Sequence, residues 1–303
     1  MQILVLGSGA GGGCPQWNCG CELCQGVRNN AIQASPRTQS SIAVSSDGVN
    51  WVLVNASPDI RQQLTENQAL WPKDIRHTPI KAVLLTDAQI DHVAGLLALR
   101  EGLPMDLYCT DLVHKELCDL FSLIPVLHHW NGGFAHKNIP ESGSLSFHLD
   151  QTPTLDWHAV PLISNAPPYS PRRNYPKQGD NIALYIKDRV SGRSLLYAPG
   201  LGRITPLIKT YMEKADCLLV DGTCWQDNEM EKVGSTKRAR EMGHLPQSGD
   251  GGMIEQLNGL PGKRKILIHI NNTNPILQED SPERRQLQAK EIEVAYDGMT
   301  LTL

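Results

Sequence analysis

Three things are missing from this chain of 303 residues, and each narrows what it can be. It has no surplus of positive charge: Lys and Arg total 28 against 32 Asp and Glu, for a net charge of −4. That balance argues against a nucleic-acid surface or an anionic membrane as the main partner and favours a small-molecule or peptide ligand. It has no apolar run near the ~20 residues that a membrane helix needs, and its N-terminus, Met1-Gln-Ile-Leu-Val-Leu-Gly7, enters a strand without a basic leader region. The expectation is therefore a cytoplasmic protein without a membrane span. Finally, no Ser/Gly-rich or charge-block linker divides it, so we expect one domain over residues 1–303, although length alone would allow two.

What is present is a recurring pattern of apolar strands that end in polar side chains. Residues 82–85 read as a buried strand, and Val93, Leu96, Leu97 and Arg100 follow at the i, i+3, i+4, i+7 spacing of an amphipathic helix. Asp87, Asp91 and His92 lie between them, where α/β proteins place binding groups because backbone and packing fix them while they face outward. The Asp-His step is a candidate metal site; a turn with a helix cap and a solvated histidine would explain it equally well in isolation. The pattern returns where residues 217–220 run into Asp221 and residues 265–268 into His269. Hairpins are expected over 40–54 and 181–198, and further strands over 106–109 and 155–163. Helices are expected near 59–64, with Ser57 as cap and Pro58 at the first position, and over 111–121, 206–214 and 252–257. His128 and His129, being adjacent, point in different directions on any regular element and read as surface or pocket-wall residues.

Gly7-Ser-Gly9-Ala-Gly-Gly12 matches the dinucleotide fingerprint in form only, because Gly13-Cys-Pro-Gln-Trp-Asn-Cys19 stands where a helix should open. A loop whose backbone passes close to a neighbouring site is the better reading. Cys19-Gly-Cys21-Glu-Leu-Cys24 can converge three thiolates on one tetrahedral ion, so a structural zinc loop over about residues 14–24 is expected. A redox pair would not need the third cysteine. Cys109, Cys118, Cys217 and Cys224 sit in or beside apolar segments and read as packing residues. The irregular loop 164–177 carries Arg172, Arg173 and Lys177, which either receive carboxylates of an acidic substrate or form a solvated cluster.

Strands and helices in two similar halves, with Asp91-His92, Asp221 and His269 at strand ends, resemble the metallo-β-lactamase superfamily. The whole chain is similar to that superfamily's pyrroloquinoline quinone (PQQ) biosynthesis B family, through Gly7-Ser-Gly9, the cysteine loop, Thr86 to His92, Asp221-Gly-Thr-Cys-Trp225, Gly243-His244 and Tyr296-Asp-Gly-Met299. The resemblance implies an α/β layered fold, an αββα sandwich of two mixed sheets flanked by helices. Against the superfamily motif H-x-H-x-D-H, this chain reads Asp87-Ala-Gln89-Ile-Asp91-His92, Ser164 takes the place of a third histidine, and Tyr197-Ala-Pro-Gly200 holds no bridging carboxylate. The resemblance thus implies one lost metal and one retained, held by Asp91, His92 and His269, with Asp87 as a further possible ligand. Two imidazoles and one carboxylate suit non-haem Fe(II) and dioxygen chemistry; zinc is the other ion such a site takes.

By the same resemblance, Fe(II) would serve to hydroxylate the tyrosine part of a Glu-Tyr-derived precursor, among other PQQ biosynthesis proteins, with glutamate carboxylates held by Arg172, Arg173 and Lys177. His244 is expected as an acid/base or supporting residue. Asp221 is expected as an extra ligand or as the partner that orients His92 or His269. The fourth ligand of the structural zinc stays open between Asn272, at the family position of a histidine, and Cys14. Two other functions fit the same residues: a zinc-dependent hydrolase, and a carrier that transports the quinone or its precursor without catalysis.

Overall fold

The computed structural model describes residues 1–140 and 145–303. Among them run the strands β1 (Gln2–Gly7), β2 (Ser41–Ser45), β3 (Trp51–Val54), β4 (Ile80–Leu84), β5 (Met105–Cys109), β6 (Phe134–Asn138), β7 (Leu155–Pro161), β8 (Ile182–Asp188), β9 (Ser194–Ala198), β10 (Cys217–Asp221), β11 (Arg264–Ile268), β12 (Ile292–Val294) and β13 (Thr300–Thr302). They make a 7-stranded sheet, ordered β13-β1-β2-β3-β4-β5-β6, and a 6-stranded sheet, ordered β12-β11-β10-β9-β8-β7. In the first sheet the pairings from β13 to β3 are antiparallel and those from β3 to β6 parallel. The second repeats the scheme, antiparallel from β7 to β9 and parallel from β9 to β12.

Burial explains the layering. β2, β3, β9 and β10 are buried along their whole length, so both faces of each sheet need cover. One apolar cluster fills the space between the sheets, taking Val54 and Leu84 from the first and Tyr197, Leu219 and Ile268 from the second. A second backs the first sheet, where Ile60, Val113 and Leu117 come from the helices Ile60–Glu66 and Asp111–Asp119. A third backs the other sheet with Ile208, Met253 and Leu287, from the helices Pro206–Lys214, Met253–Asn258 and Pro282–Gln288. The order is helix, sheet, sheet, helix, which is the expected αββα sandwich. No helix among the described residues is long and apolar enough to cross a membrane.

Three local expectations are corrected. After β4 the chain makes a short α-helix, Ile90–Val93, and then a 3₁₀ helix, Ala94–Gly102. With three residues per turn, the inward face is Val93, Leu96 and Leu99, while Leu97 and Arg100 face solvent. A period of 3.6 selects the wrong pair. The helix after β3 begins at Ile60 with Asp59 as its flanking residue, so Pro58 precedes the first turn instead of opening it. Cys118 is only half-buried, with its sulfur 3.6 Å from His114 Nε2.

The 3₁₀ segment is seated through Gly95, whose N–H donates to Ala56 O at 2.9 Å. A Cβ here would lie 2.1 Å from Ser57 O and 2.8 Å from Ala56 O, and backbone cannot move aside cheaply. Gly95→Ala should cost about 1–3 kcal/mol by overpacking. It should also weaken metal binding, since Asp91 and His92 lie one turn earlier. A denaturation midpoint equal to wild type would show that the two segments separate freely.

Candidate metal centre

The carboxyl ends of β4, β10 and β11 deliver the side chains of one cavity of about 200 Å³, lined by Asp87, Gln89, Asp91, His92, Ser164, Arg173, Asn181, Lys237, Met242, His244 and His269 among others. The first segment is fixed by Asn55, which follows β3. Its side chain accepts from Thr86 N at 3.0 Å and donates to Thr86 Oγ1 at 2.9 Å. Asp87 accepts from Thr86 Oγ1 at 2.9 Å and Gln89 N at 2.9 Å, and both its oxygens lie 2.8–2.9 Å from His92 Nδ1. A carboxylate accepting at Nδ1 fixes the tautomer and aims Nε2 the other way. Nε2 of His92 is buried and has no hydrogen-bond partner among the described residues.

What that nitrogen meets is Asp91 Oδ2 at 4.0 Å, and His269 Nε2 lies 3.4 Å from the same oxygen. Ligand atoms of Asp91, His92 and His269 all fall within 4.8 Å of one another. The His92 and His269 rings stand nearly perpendicular, 76° apart, with centroids 5.4 Å apart. An orphaned buried nitrogen facing a carboxylate and a second imidazole fits a divalent cation, whose charge and bonds would satisfy all three. Electrostatics point the same way. Burial works against a charge on His92, but Asp87 and then Asp91 raise its imidazole to about 9. Burial likewise opposes ionisation of Asp91, yet His92 and His269 hold its carboxyl well below the ordinary range. The negative field that favours a proton on His92 also favours a cation in its place.

His269 follows β11 with φ +61°, a left-handed backbone that non-glycine residues seldom adopt outside functional sites. Thr223 holds it there. Its hydroxyl donates to Asp221 Oδ1 at 2.6 Å and lies 2.9 Å from His269 Nδ1, while its carbonyl accepts from Asn271 N at 3.0 Å. With its proton given to the carboxylate, Thr223 accepts from His269 Nδ1, leaving Nε2 free toward Asp91. Asp221 is fully buried and accepts from Leu201 N at 2.8 Å and His244 Nδ1 at 2.7 Å. Burial opposes a charge on His244, but Asp221 raises its imidazole above the ordinary value. His244 stacks on His269 with centroids 5.2 Å apart.

Asp221 meets His269 through Thr223, and ligand atoms of Asp221, His244 and His269 also lie within 4.8 Å of one another. The geometry thus allows both an orienting and a ligating role for Asp221, while His92 takes its orientation from Asp87. Asp221 bonds directly to His244, a partner that sequence reasoning did not pair with it. Thr223 was missed, although its place two residues beyond a strand-terminal carboxylate is where an ST-type turn would put a hydroxyl. The glycine-rich loop does pass the site: a Cβ on Gly11 would sit 3.3 Å from Asp91 Oδ2.

The basic loop is divided. Arg172 gives its guanidinium to Asp180 at 2.7 Å and Glu116 at 2.8 Å, which corrects its expected place at a substrate. Lys177 lines a different cavity, of about 250 Å³. Arg173 alone of the three faces the metal cavity, with Nη1 donating to Ala166 O at 2.7 Å. Tyr169 ties this loop to the metal segment by donating to Ala88 O.

In the cysteine loop the sulfurs of Cys19, Cys21 and Cys24 also lie within 4.8 Å of one another. Asn272, three residues beyond His269, donates to Cys24 Sγ at 3.3 Å and lies 3.9 Å from Cys21 Sγ. Cys14 is buried against Cys24, and burial together with Cys24 and Cys21 pushes its thiol up to about 12. Both residues open for the fourth position touch the cluster, Asn272 at Cys24 and Cys21 and Cys14 at Cys24.

Residues 50–270 match the β-lactamase superfamily domain model. Over 100% of both chains, the sequence is 57% identical to coenzyme PQQ synthesis protein B of Stutzerimonas stutzeri and 55% identical to that of Azotobacter vinelandii. Among solved structures, Zn(2+)-bound PqqB from Methylobacterium extorquens superposes with a TM-score of 0.91 at 39% identity, covering 100% of each chain.

Proposed function

Because the chain belongs to the coenzyme PQQ synthesis protein B family of the β-lactamase superfamily, we propose that it acts in PQQ biosynthesis as an iron-dependent oxygenase, hydroxylating the tyrosine part of a Glu-Tyr-derived precursor. The observation that carries this reading is the unpartnered His92 Nε2, facing Asp91 and His269. These three residues would hold one divalent ion, and an Fe(II) ion in such a 2-His-1-carboxylate set would offer dioxygen an open position beside the substrate ring. Asp87 is committed to His92 Nδ1. Gln89 and Ser164, at the same cavity, supply no imidazole. The other group that could hold an ion, Asp221, His244 and His269, shares His269 with the first and has Asp221 bonded to His244 Nδ1. A second, separate ion for two-metal hydrolysis therefore has no ligand set of its own among the described residues.

Asp87 and Thr223 fix the tautomers of His92 and His269. His244, bonded through Nδ1 to Asp221, holds Nε2 ready to accept the phenolic proton of the substrate ring. Arg173 receives a carboxylate of the precursor. Cys19, Cys21 and Cys24 hold a structural zinc beside Asn272, within one domain of residues 1–303, and the pathway role implies other biosynthetic proteins as neighbours.

The test is to load the metal-free protein anaerobically with Fe(II) or Zn(II), add a Glu-Tyr-derived precursor and ascorbate as the two-electron reductant that the second oxygen atom requires, admit oxygen, and follow oxygen uptake and product mass. The expected result, with iron only, is oxygen uptake with a mass gain of one oxygen atom, the other leaving as water with two electrons from the reductant, and a KM raised several-fold by Arg173→Gln. Water addition with zinc would replace the reading by a hydrolase, and tight binding of quinone or precursor without turnover would replace it by a carrier.

A further inference from the structure

The metal cavity, at about 200 Å³, is smaller than the roughly 300–1,000 Å³ that organic ligands occupy. A substrate reaching it must therefore extend outward. Directly beside it lies a larger cavity of about 620 Å³. Ser164 lines both, and Gly243 lines the larger one while its neighbours Met242 and His244 line the smaller. The wall between them is thin by construction. A Cβ on Gly243, whose φ is +93°, would lie 2.4 Å from Ser164 Oγ, and one on Gly202 would lie 2.8 Å from Gly243 O.

The charge of this larger cavity is one-sided. Its lining holds Arg203, Lys209 and Arg240 and no acidic residue. None of the three side chains has an ion-pair or hydrogen-bond partner among the described residues. Some exposed cations elsewhere are paired, Arg193 with Asp216, Arg264 with Glu293 and Arg238 with Glu231, and what sets these three apart is that they line one concavity together. In a chain of net charge −4, three unmatched cations in one concave surface make a local field suited to an anion. The concavity and its size suit a small molecule over a flat protein contact.

We propose that this cavity binds the carboxylates of an organic polyacid whose other end enters the metal pocket, with Arg203, Lys209 and Arg240 as its receptors. The proposal rests on the functional reading above only for which end reacts. It enlarges the anion-binding surface from the metal cavity, lined by Arg173 and Lys237, to a second, larger chamber, and it sets the substrate class as a molecule with carboxylates several bonds away from the reacting atom.

Tricarballylate is a suitable probe, a flexible triacid, with its triamide as the uncharged control. Binding to zinc-loaded full-length protein would be measured by calorimetry. Wild type should bind the triacid and not the triamide, more weakly as salt is raised. Affinity should fall about fivefold for each cation removed in Arg203→Gln, Lys209→Gln and Arg240→Gln. Arg61→Gln, on a distant exposed helix, should change nothing, and Arg240→Lys should keep most of the affinity. Absent triacid binding in wild type, equal binding of the triamide, or wild-type affinity in the triple variant would overturn the proposal. Because the measurement needs neither iron nor turnover, the two ideas fail separately. Triacid binding lost in the variants without any oxygen uptake would retire only the oxygenase reading. Hydroxylation with an unchanged KM in the triple variant would retire only the cavity.

Discussion

Asp87→Ala is expected to lower the affinity of the Asp91, His92 and His269 site for a divalent ion by about 10- to 100-fold, the range seen when the carboxylate behind a metal-binding histidine is removed. Asp87 stands where the superfamily motif has a histidine, yet its two oxygens are 2.9 and 2.8 Å from His92 Nδ1, so its effect passes through the ring. Without it the tautomer is no longer fixed, and a buried Nδ1 loses its acceptor at a cost of about 1–3 kcal/mol. His92 also loses the nearest charge that raises it: burial then prevails, and the imidazole falls from about 9 toward neutrality at physiological pH. Asp87→Asn should be milder than alanine, because its carbonyl can still accept from Nδ1. Competition with a chromophoric chelator would read the change. Metal affinity within twofold of wild type in the alanine variant would mean that His92 needs no orienting partner.

Cys21→Ser is expected to act on the fold far more than on the chemistry. It removes one of three sulfurs that converge within 4.8 Å, and with it the proposed zinc between residues 14–24 and Asn272. Structural zinc contributes roughly 10–16 kcal/mol in isolated fingers, but here the loop already packs on the sheets through Cys14 and Val27, so a smaller loss is expected. At about 2–4 °C per kcal/mol for a chain somewhat smaller than this one, a loss of about 3 kcal/mol lowers Tm by about 6–12 °C. One zinc per chain should be missing, while oxygen uptake per bound iron stays within a few-fold of wild type. Some effect on iron affinity is expected through Asn272, which shares a loop with His269. Wild-type Tm and zinc content in this variant would show that the cysteines hold no structural ion.

Much of the site is legible because its residues follow apolar strands: Asp91, Asp221 and His269 are each marked by the buried run before them, and the three cysteines by their spacing. The sheets are legible for the same reason, since hairpin and strand segments carry local signals. What is not legible depends on contacts far apart in sequence or on local geometry that departs from the common period. The pairing of Asp221 with His244 spans 23 residues, and Arg172 is claimed by Glu116 from 56 residues away. No spacing rule announces either. Thr223 is inconspicuous as a residue type and important only because two side chains from different strands meet its hydroxyl. The 3₁₀ segment carries a hydrophobic pattern that two periods fit, and only its docking against Ala56 and Ser57 chooses between them. The glycine loop is the opposite case: the residues after Gly12 do not open a helix, and that local fact alone rules out reading the loop as a dinucleotide fingerprint.

A single-ion centre is the central claim, and counting ions tests it most directly. Metal-free protein would be loaded anaerobically with Fe(II) and Zn(II), freed of excess, and analysed for metal per chain in wild type, His269→Ala and Cys21→Ser. The prediction is two ions in wild type, with one lost in His269→Ala and the other lost in Cys21→Ser. Loss of two ions together in His269→Ala would contradict it, since that is the result for a two-metal hydrolytic centre.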